Sequence, residues 1–350
     1  DVLLNPSASH FAFAKQQIRE RFVLEGSRAF AVSYAYANLL GNEAGRSIYD
    51  GGTLIASSGR MLVRGPRFSF ADWLLTTAII DVDNTRRAKA ESFLDTNPRP
   101  SAVGEVGLVV ADAMYRGAVV GLEAPDPANP ITVQTSATSG EASIQVPGHP
   151  DWETGAYQKE EEFARSVALA LFDYLRKSRA QGFIVSLSGG ADSTAVTVLV
   201  HLLVQLATRE LGFDAFEAKL AHIRDLKELM WTTDPIRPVD ARFGEWTKKF
   251  VHSLLTCVYQ ATRNSGVQTF EAAQGAAAAV GAEFLHWNVD AMVDGFVQTV
   301  SAATGEKLTW EKHDMALQNI QARARGPGVW LLANLRDALL LTTSNRSEAA

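Results

Sequence analysis

The sequence has a single cysteine, Cys257, which excludes an internal disulfide and is consistent with a reducing, cytoplasmic setting. Histidine is sparse. The closest two are His201 and His222, too far apart for a helical two-histidine metal site. No basic run stands out and the formal net charge is -6, so nucleic acid is not the expected partner. No apolar stretch is long and clean enough to read as a membrane span. The best, Ala195 to Leu206, is interrupted by His201 and Gln205. There is no signal peptide pattern. An initiator methionine is also missing: the chain opens at Asp1 inside the apolar run Val2-Leu3-Leu4 and stops at Glu348-Ala349-Ala350. It is expected to be a fragment of a longer protein. What remains is ordinary globular composition, 47% hydrophobic and 21% charged, over 350 residues, enough for two domains.

One stretch organises the chain. The apolar run Phe183-Ile184-Val185 leads into Ser186-Leu187-Ser188-Gly189-Gly190-Ala191-Asp192-Ser193, and a long apolar segment, Thr194 to Leu211, follows. This predicts a buried strand, a tight glycine turn and a helix. Such a turn gathers backbone N–H groups at the positive end of a helix and suits a phosphate. It is not the common loop G-x-x-x-x-G-K-[ST], because no lysine follows the glycines. Asp192 stands where that charge would be expected, which makes sense if Mg²⁺ lies between acid and phosphate. The bland alternative is a serine-capped glycine turn. The loop resembles that of the N-type ATP pyrophosphatases, which split ATP into AMP and pyrophosphate.

In chain order, Val2 to Leu4 reads as a strand, Lys15 to Phe30 as a helix with Ile18, Phe22 and Leu24 or Glu25 setting its rhythm, and Ala31 to Leu40 as a buried strand. Thr53–Ala56 and Met61–Arg64 flank a hairpin turn at Ser57-Ser58-Gly59-Arg60. Residues 98 to 150 hold seven of the twelve prolines and read as a connecting region, with strands at Val106–Ala111 and Ala118–Leu122. A helix is expected over Glu160 to Lys177. Residues 209–253 are charged and irregular and read as a surface excursion. Then come a strand at Thr256–Gln260, a helix at Val267–Val280 and a strand at Phe284–Val289. Met315 to Leu335 is helical with a break at Gly326-Pro327-Gly328, and Ala338–Thr342 is a strand. Alternating strands and helices imply a doubly wound parallel sheet, with ligands outside the carboxyl ends of its strands. Ser188–Ser193 and Thr343–Glu348 are then expected in one crevice. Asp192 and Glu348 form a candidate pair for one Mg²⁺, although Glu348 alone could be a helix N-terminal carboxylate. Asn319 and Arg323 could be an exposed i, i+4 pair. Ser9 could cap the following helix, and Lys15 could be a solvated first-turn lysine.

Asn5-Pro6-Ser7-Ala8-Ser9 and Tyr49-Asp50-Gly51-Gly52, in a strand–helix–strand–hairpin order, resemble the second half of a nitrilase-type glutaminase domain. Tyr259-Gln260-Ala261-Thr262-Arg263-Asn264-Ser265, Asn319 to Arg325, Leu332-Ala333-Asn334 and Thr342 to Glu348 resemble the synthetase domain of glutamine-dependent NAD⁺ synthetases. The resemblance implies an α/β protein: a partial nitrilase-like α-β sandwich over 1–95, a linker over 96–155, and a partial Rossmann-like ATP pyrophosphatase domain over 156–350. It implies ATP-dependent amidation of deamido-NAD⁺ to NAD⁺ through an acyl-adenylate, with ammonia from glutamine. It places ATP on Ser186, Leu187, Ser188, Gly189, Gly190, Ala191, Asp192, Ser193 and Thr343, and Mg²⁺ on Asp192 and Glu348. Deamido-NAD⁺ goes to Asn319, Arg323 and Glu348, and glutamine to Ser9 and Lys15. The glutaminase nucleophile would lie before Asp1, so residues 1–350 are expected to lack glutaminase activity; Cys257 reads as a core residue. A homo-oligomer is implied, with neither nucleic acid nor membrane as partner. Two departures are Ala261, where relatives have glycine, and Gly326-Pro327-Gly328, expected to loosen the pocket near Arg323 and Arg325. Other readings are a different amidating ligase of the same loop class, a carbon–nitrogen hydrolase with a degenerate nucleotide domain, and a non-catalytic piece that only binds nucleotide.

Overall fold

The computed structural model describes residues 1–43, 47–94, 150–224, 226 and 239–343. The expected strands at Val106–Ala111 and Ala118–Leu122, and the loop from Ser344 to Glu348, lie outside the described residues. The chain before residue 65 forms β1 (Val2–Ser7), α1 (Lys15–Ala29), β2 (Ser33–Asn38), β3 (Leu40–Glu43), β4 (Ser47–Asp50), β5 (Thr53–Ser57) and β6 (Arg60–Arg64). Then come α2 (Val82–Leu94), α3 (Asp151–Thr154), α4 (Gln158–Ser178), β7 (Phe183–Ser186), α5 (Ala191–Leu211), α6 (Phe213–Lys219) and α7 (Val239–Leu254). The remainder is β8 (Leu255–Ala261), α8 (Val267–Val280), β9 (Glu283–Asn288), α9 (Asp290–Thr304), α10 (Trp310–Arg323), α11 (Arg325–Leu335) and β10 (Leu339–Leu341).

The first sheet has the order β1-β2-β5-β6. β1 and β2 are parallel because α1 carries the chain back between them, and β2, β5 and β6 follow as an antiparallel meander. α1 spans the predicted residues but turns another face inward. Ile18 and Phe22 are 64% and 62% exposed, while Gln16, Arg19, Val23 and Ser27 are buried. Apolar spacing misleads here because the buried face is lined by polar groups that find partners, as shown below.

The second sheet is wholly parallel in the order β10-β7-β8-β9. Its central strands carry uninterrupted apolar residues: Phe183, Ile184 and Val185 are each 1% exposed, and Cys257 and Val258 are fully buried. That is the composition of strands covered on both faces. α5 packs against α4, α6, α7 and α8 on one face, and α11 covers β7 on the other. By length and composition α5 could cross a bilayer, but Leu199, Val200, Leu203, Val204 and Ala207 belong to the buried core.

The described parts of residues 209–253 are not a surface excursion. α6 and α7 place Phe216, Trp246, Phe250, Val251 and Leu254 in the main core. The last four recur at helical spacing, and Trp246 and Phe250 meet the Phe216 ring, which gives the segment an inner face. The helix over Met315–Leu335 does not break at Gly326-Pro327-Gly328. It begins at Trp310, kinks at His313 and divides at Ala324. Pro327 sits in the first turn of α11, where a missing N–H is tolerated.

Candidate active site

β7 lies between β8, which continues the sheet one way, and β10, which returns on the other side. The chain therefore reverses its winding at the carboxyl end of β7, the place where open parallel sheets leave a crevice. Ser186 to Ser193 occupy it. Gly189 takes a φ of 81°, and a side chain there would run into the carbonyl oxygen of Thr269 on α8. Only glycine fits so tight a passage. The loop is preorganised by its own hydroxyls. Ser188 N–H donates to Ser193 Oγ at 3.3 Å, Gly190 N–H donates to Ser188 Oγ at 3.3 Å, and Ser193 Oγ donates to the Gly190 carbonyl at 3.2 Å. Ser188, Gly190, Ala191 and Asp192 are exposed, while Ser193 is buried as the turn's anchor. Asp192 stands in the first turn of α5, and among the described residues no ion pair engages it. The backbone N–H groups of the turn suit phosphate oxygens, and Asp192 supplies one of the two carboxylates expected for a hard divalent cation.

Thr343 is exposed two residues past Leu341, whose parallel partner on β7 is Val185. It leaves the sheet level with Leu187, on the same edge as the glycine loop. Glu348 lies outside the described residues.

Beside the loop is a cavity of about 450 Å³ lined by Ser186, Ser188, Gln260, Thr262, Gln321 and Arg325, among others. Its size suits a small-molecule ligand. Gln260, 5% exposed, donates from Nε2 to Ser186 Oγ at 3.1 Å, and Arg325 Nε donates to the Gln260 carbonyl at 3.3 Å. Arg325 is thus held in place across the break at Ala324 rather than loosened by it. Asn319 and Arg323 are exposed on α10 and do not line this cavity; Gln321, between them, does. Cys257 is sealed in the core, where burial pushes its thiol up to about 11, so it is no nucleophile.

At the other sheet, Ser9 does not cap α1, whose N-terminus carries no side-chain cap. Its N–H donates to Asn38 Oδ1 at 2.8 Å. Its carbonyl accepts from Asn38 Nδ2 at 2.9 Å and Arg19 Nη2 at 2.7 Å, and its hydroxyl lies 3.2 Å from Arg19 Nη2. Lys15 Nζ donates to the His10 carbonyl at 2.8 Å, closing the same loop. Arg19 in turn grips both oxygens of Asp50, at 2.8 and 2.7 Å, with both side chains buried.

A sequence model of the NAD synthase family matches residues 163–350, more than half of the chain. The chain belongs to the NAD synthase family. Among curated proteins it is 27% identical to a glutamine-dependent NAD(+) synthetase of Oryza sativa subsp. indica, over 96% of this chain and 42% of the relative. It is 28% identical to the Saccharomyces cerevisiae protein of the same name, over 96% of this chain and 44% of that protein. Among solved structures, a glutamine-dependent NAD(+) synthetase from Cytophaga hutchinsonii superposes with a TM-score of 0.70 at 37% identity, covering 99% of this chain and 46% of that one. The Acinetobacter baumannii enzyme, solved with adenosine diphosphate, shares the fold at TM-score 0.56 and 17% identity. The chain therefore spans less than half the length of the relatives it matches.

Within this family fold, sequence reasoning missed two groups. Gln260, Gln321 and Arg325 stood inside motifs that the resemblance had marked, but nothing in their spacing said which would face the cavity. Arg19 was not singled out and Asp50 stood only within the motif Tyr49-Asp50-Gly51-Gly52; no spacing signal marked either as buried.

Proposed function

We propose that the chain is the middle part of a glutamine-dependent NAD⁺ synthetase, with a partial glutaminase-like unit over 1–95, a connecting region over 96–155 and a synthetase unit over 156–350. The observation that carries this reading is the preorganised Ser188–Ser193 turn at the winding reversal of a parallel sheet, opening on a cavity of about 450 Å³. ATP would enter with its phosphates on that turn. The carboxylate of deamido-NAD⁺ attacks the α-phosphorus, and the bond to the β-phosphate oxygen breaks. Pyrophosphate leaves onto the N–H groups of Gly189 and Gly190 and the hydroxyls of Ser188 and Ser193. Ammonia then adds to the acyl-adenylate carbonyl and displaces AMP. These groups do no covalent chemistry. They hold charge where it develops, in a geometry fixed before the substrate arrives. Mg²⁺, bound by Asp192 and Glu348, would neutralise phosphate charge and align the leaving group. Thr343 would contact ATP, Asn319 and Arg323 the deamido-NAD⁺, and Ser9 and Lys15 the glutamine that supplies ammonia.

Calorimetric titration of Asp192→Asn tests the assignment. It should weaken Mg·ATP binding by about tenfold or more and leave adenosine binding unchanged, because one metal ligand is lost and the nucleoside contacts are not. Equal losses for both ligands would make Asp192 structural.

A further inference from the structure

Five charged side chains meet between the two sheets. Arg67 Nη2 donates to Glu162 Oε1 and its Nε to Glu153 Oε1, each at 2.9 Å, while its Nη1 lies 3.5 Å from Asp50 Oδ2. Asp50 clamps Arg19, and Arg19 holds Ser9. None of the five side chains is more than 6% exposed. Burial alone would lower the Arg67 pKa, but Glu153, Glu162 and Asp50 outweigh it and hold the guanidinium charged. Three charge contacts therefore lead from Glu162, on α4, to Ser9 on the other sheet's loop. Arg67 opens a short strap that grips the second unit repeatedly. Ser69 Oγ bonds Glu210 at the end of α5, Phe70 packs edge-on against Phe172, and Asp72 pairs with Lys219 and Arg176.

Stability does not explain such a network, since well-packed apolar residues hold a buried interface as well or better. What paired guanidinium and carboxylate groups supply is direction, because their planar forks fix angle as well as distance. Ser9 is fastened by hydrogen bonds from Arg19 and Asn38, and it remains half-exposed.

We infer that Arg67 is a positioning residue for glutamine recognition, holding the Ser9 loop in register from Glu162 of the synthetase unit through Asp50 and Arg19. This rests on the proposed role of Ser9. The distinctive consequence is that a change on α4, in the synthetase unit, alters glutamine recognition on the other sheet.

The test is steady-state kinetics of NAD⁺ formation by the full-length protein, with glutamine or ammonium chloride as nitrogen donor. Arg67→Lys keeps the charge and loses the fork; Glu162→Gln keeps the shape and loses the charge; Ser9→Ala is the reference. Each is expected to raise KM for glutamine about tenfold, the scale of one charge-assisted hydrogen bond, while kcat/KM with ammonium stays within about twofold. Should Arg67→Lys and Glu162→Gln lower both activities by one factor, or shift neither while Ser9→Ala raises the glutamine KM, the positioning role is overturned. Should Ser9→Ala leave the glutamine KM unmoved, the role of Ser9 falls, and this inference with it.

Discussion

The two four-stranded sheets are held by opposite means. Around β7 and β8 the core is apolar and continuous, with Phe172, Phe183, Leu203, Phe216 and Phe250 each 1% exposed or less. Around β2, β4 and α1 the apolar cluster is small, and beside it lies the network of Arg19, Asp50 and Arg67. The parallel sheet has a middle fixed by packing, and its candidate loop, Ser188–Ser193, is carried at the carboxyl end of β7. The mixed sheet has its candidate loop, around Ser9, hydrogen-bonded to the buried Arg19. The same kind of element, a turn beyond a strand, is thus positioned by packing in one case and by charge in the other.

The contrast can be broken most forcefully at Asp50. Asp50→Ala leaves two buried guanidinium groups facing each other and should lower unfolding free energy by about 3–5 kcal/mol. Denaturant titration would show it as a fall in midpoint at unchanged slope. A loss below about 1 kcal/mol would mean that water already screens the network, as it does exposed pairs.

Next in size is Gly189→Ala. It forces a side chain into a left-handed turn against the Thr269 carbonyl and should cost about 1–3 kcal/mol. Because the strain lies at the carried loop and not in the core, ATP affinity should suffer more than melting temperature. An unchanged affinity would show that the turn relaxes freely.

The smallest effect concerns Asp173 on α4. Burial would raise its pKa, but Lys177, the Asn42 N–H and Arg176 together hold it below the ordinary 3.8. A carboxylate of this kind contributes stability above its unfolded pKa and loses it as pH falls through the folded value. Between neutral pH and about 4, Asp173→Asn should therefore be uniformly less stable than the parent, and the two should converge below that. Parallel acid limbs down to the lowest pH would exclude the linkage. The same carboxylate explains a glycine: Gly41, at φ 105°, lets β3 approach until Asp173 Oδ2 accepts the Asn42 N–H at 2.8 Å.

These cases also show why some of the molecule was legible and some was not. Phe183-Ile184-Val185 followed by Ser188-Gly189-Gly190 announced a buried strand, a turn and a helix because each step follows from local sterics. α4 and α8 followed from spacing and from Gly281 as a stop. The core role of Trp246 and Phe250 was hidden because their shared partner, Phe216, comes from a separate helix, α6. The face of α1 was misjudged because pairing with Asp50 outweighs the burial of Ile18 and Phe22. Which of Asn319, Gln321, Arg323 and Arg325 would reach the cavity depended on the division at Ala324, which propensity does not mark.

The position of β10 has a consequence in time. β7 forms its second ladder only with Leu339–Leu341, some 155 residues later in the chain. A ribosome adding about 5–20 residues per second needs about 8–30 s to cover that distance. Throughout that interval one backbone edge of Phe183-Ile184-Val185 is unpaired, and the crevice at the glycine turn has only one wall. Synthesis therefore passes through a stage in which a buried, apolar strand is an open edge. A ligand seated in the completed crevice can add stability only after β10 has docked.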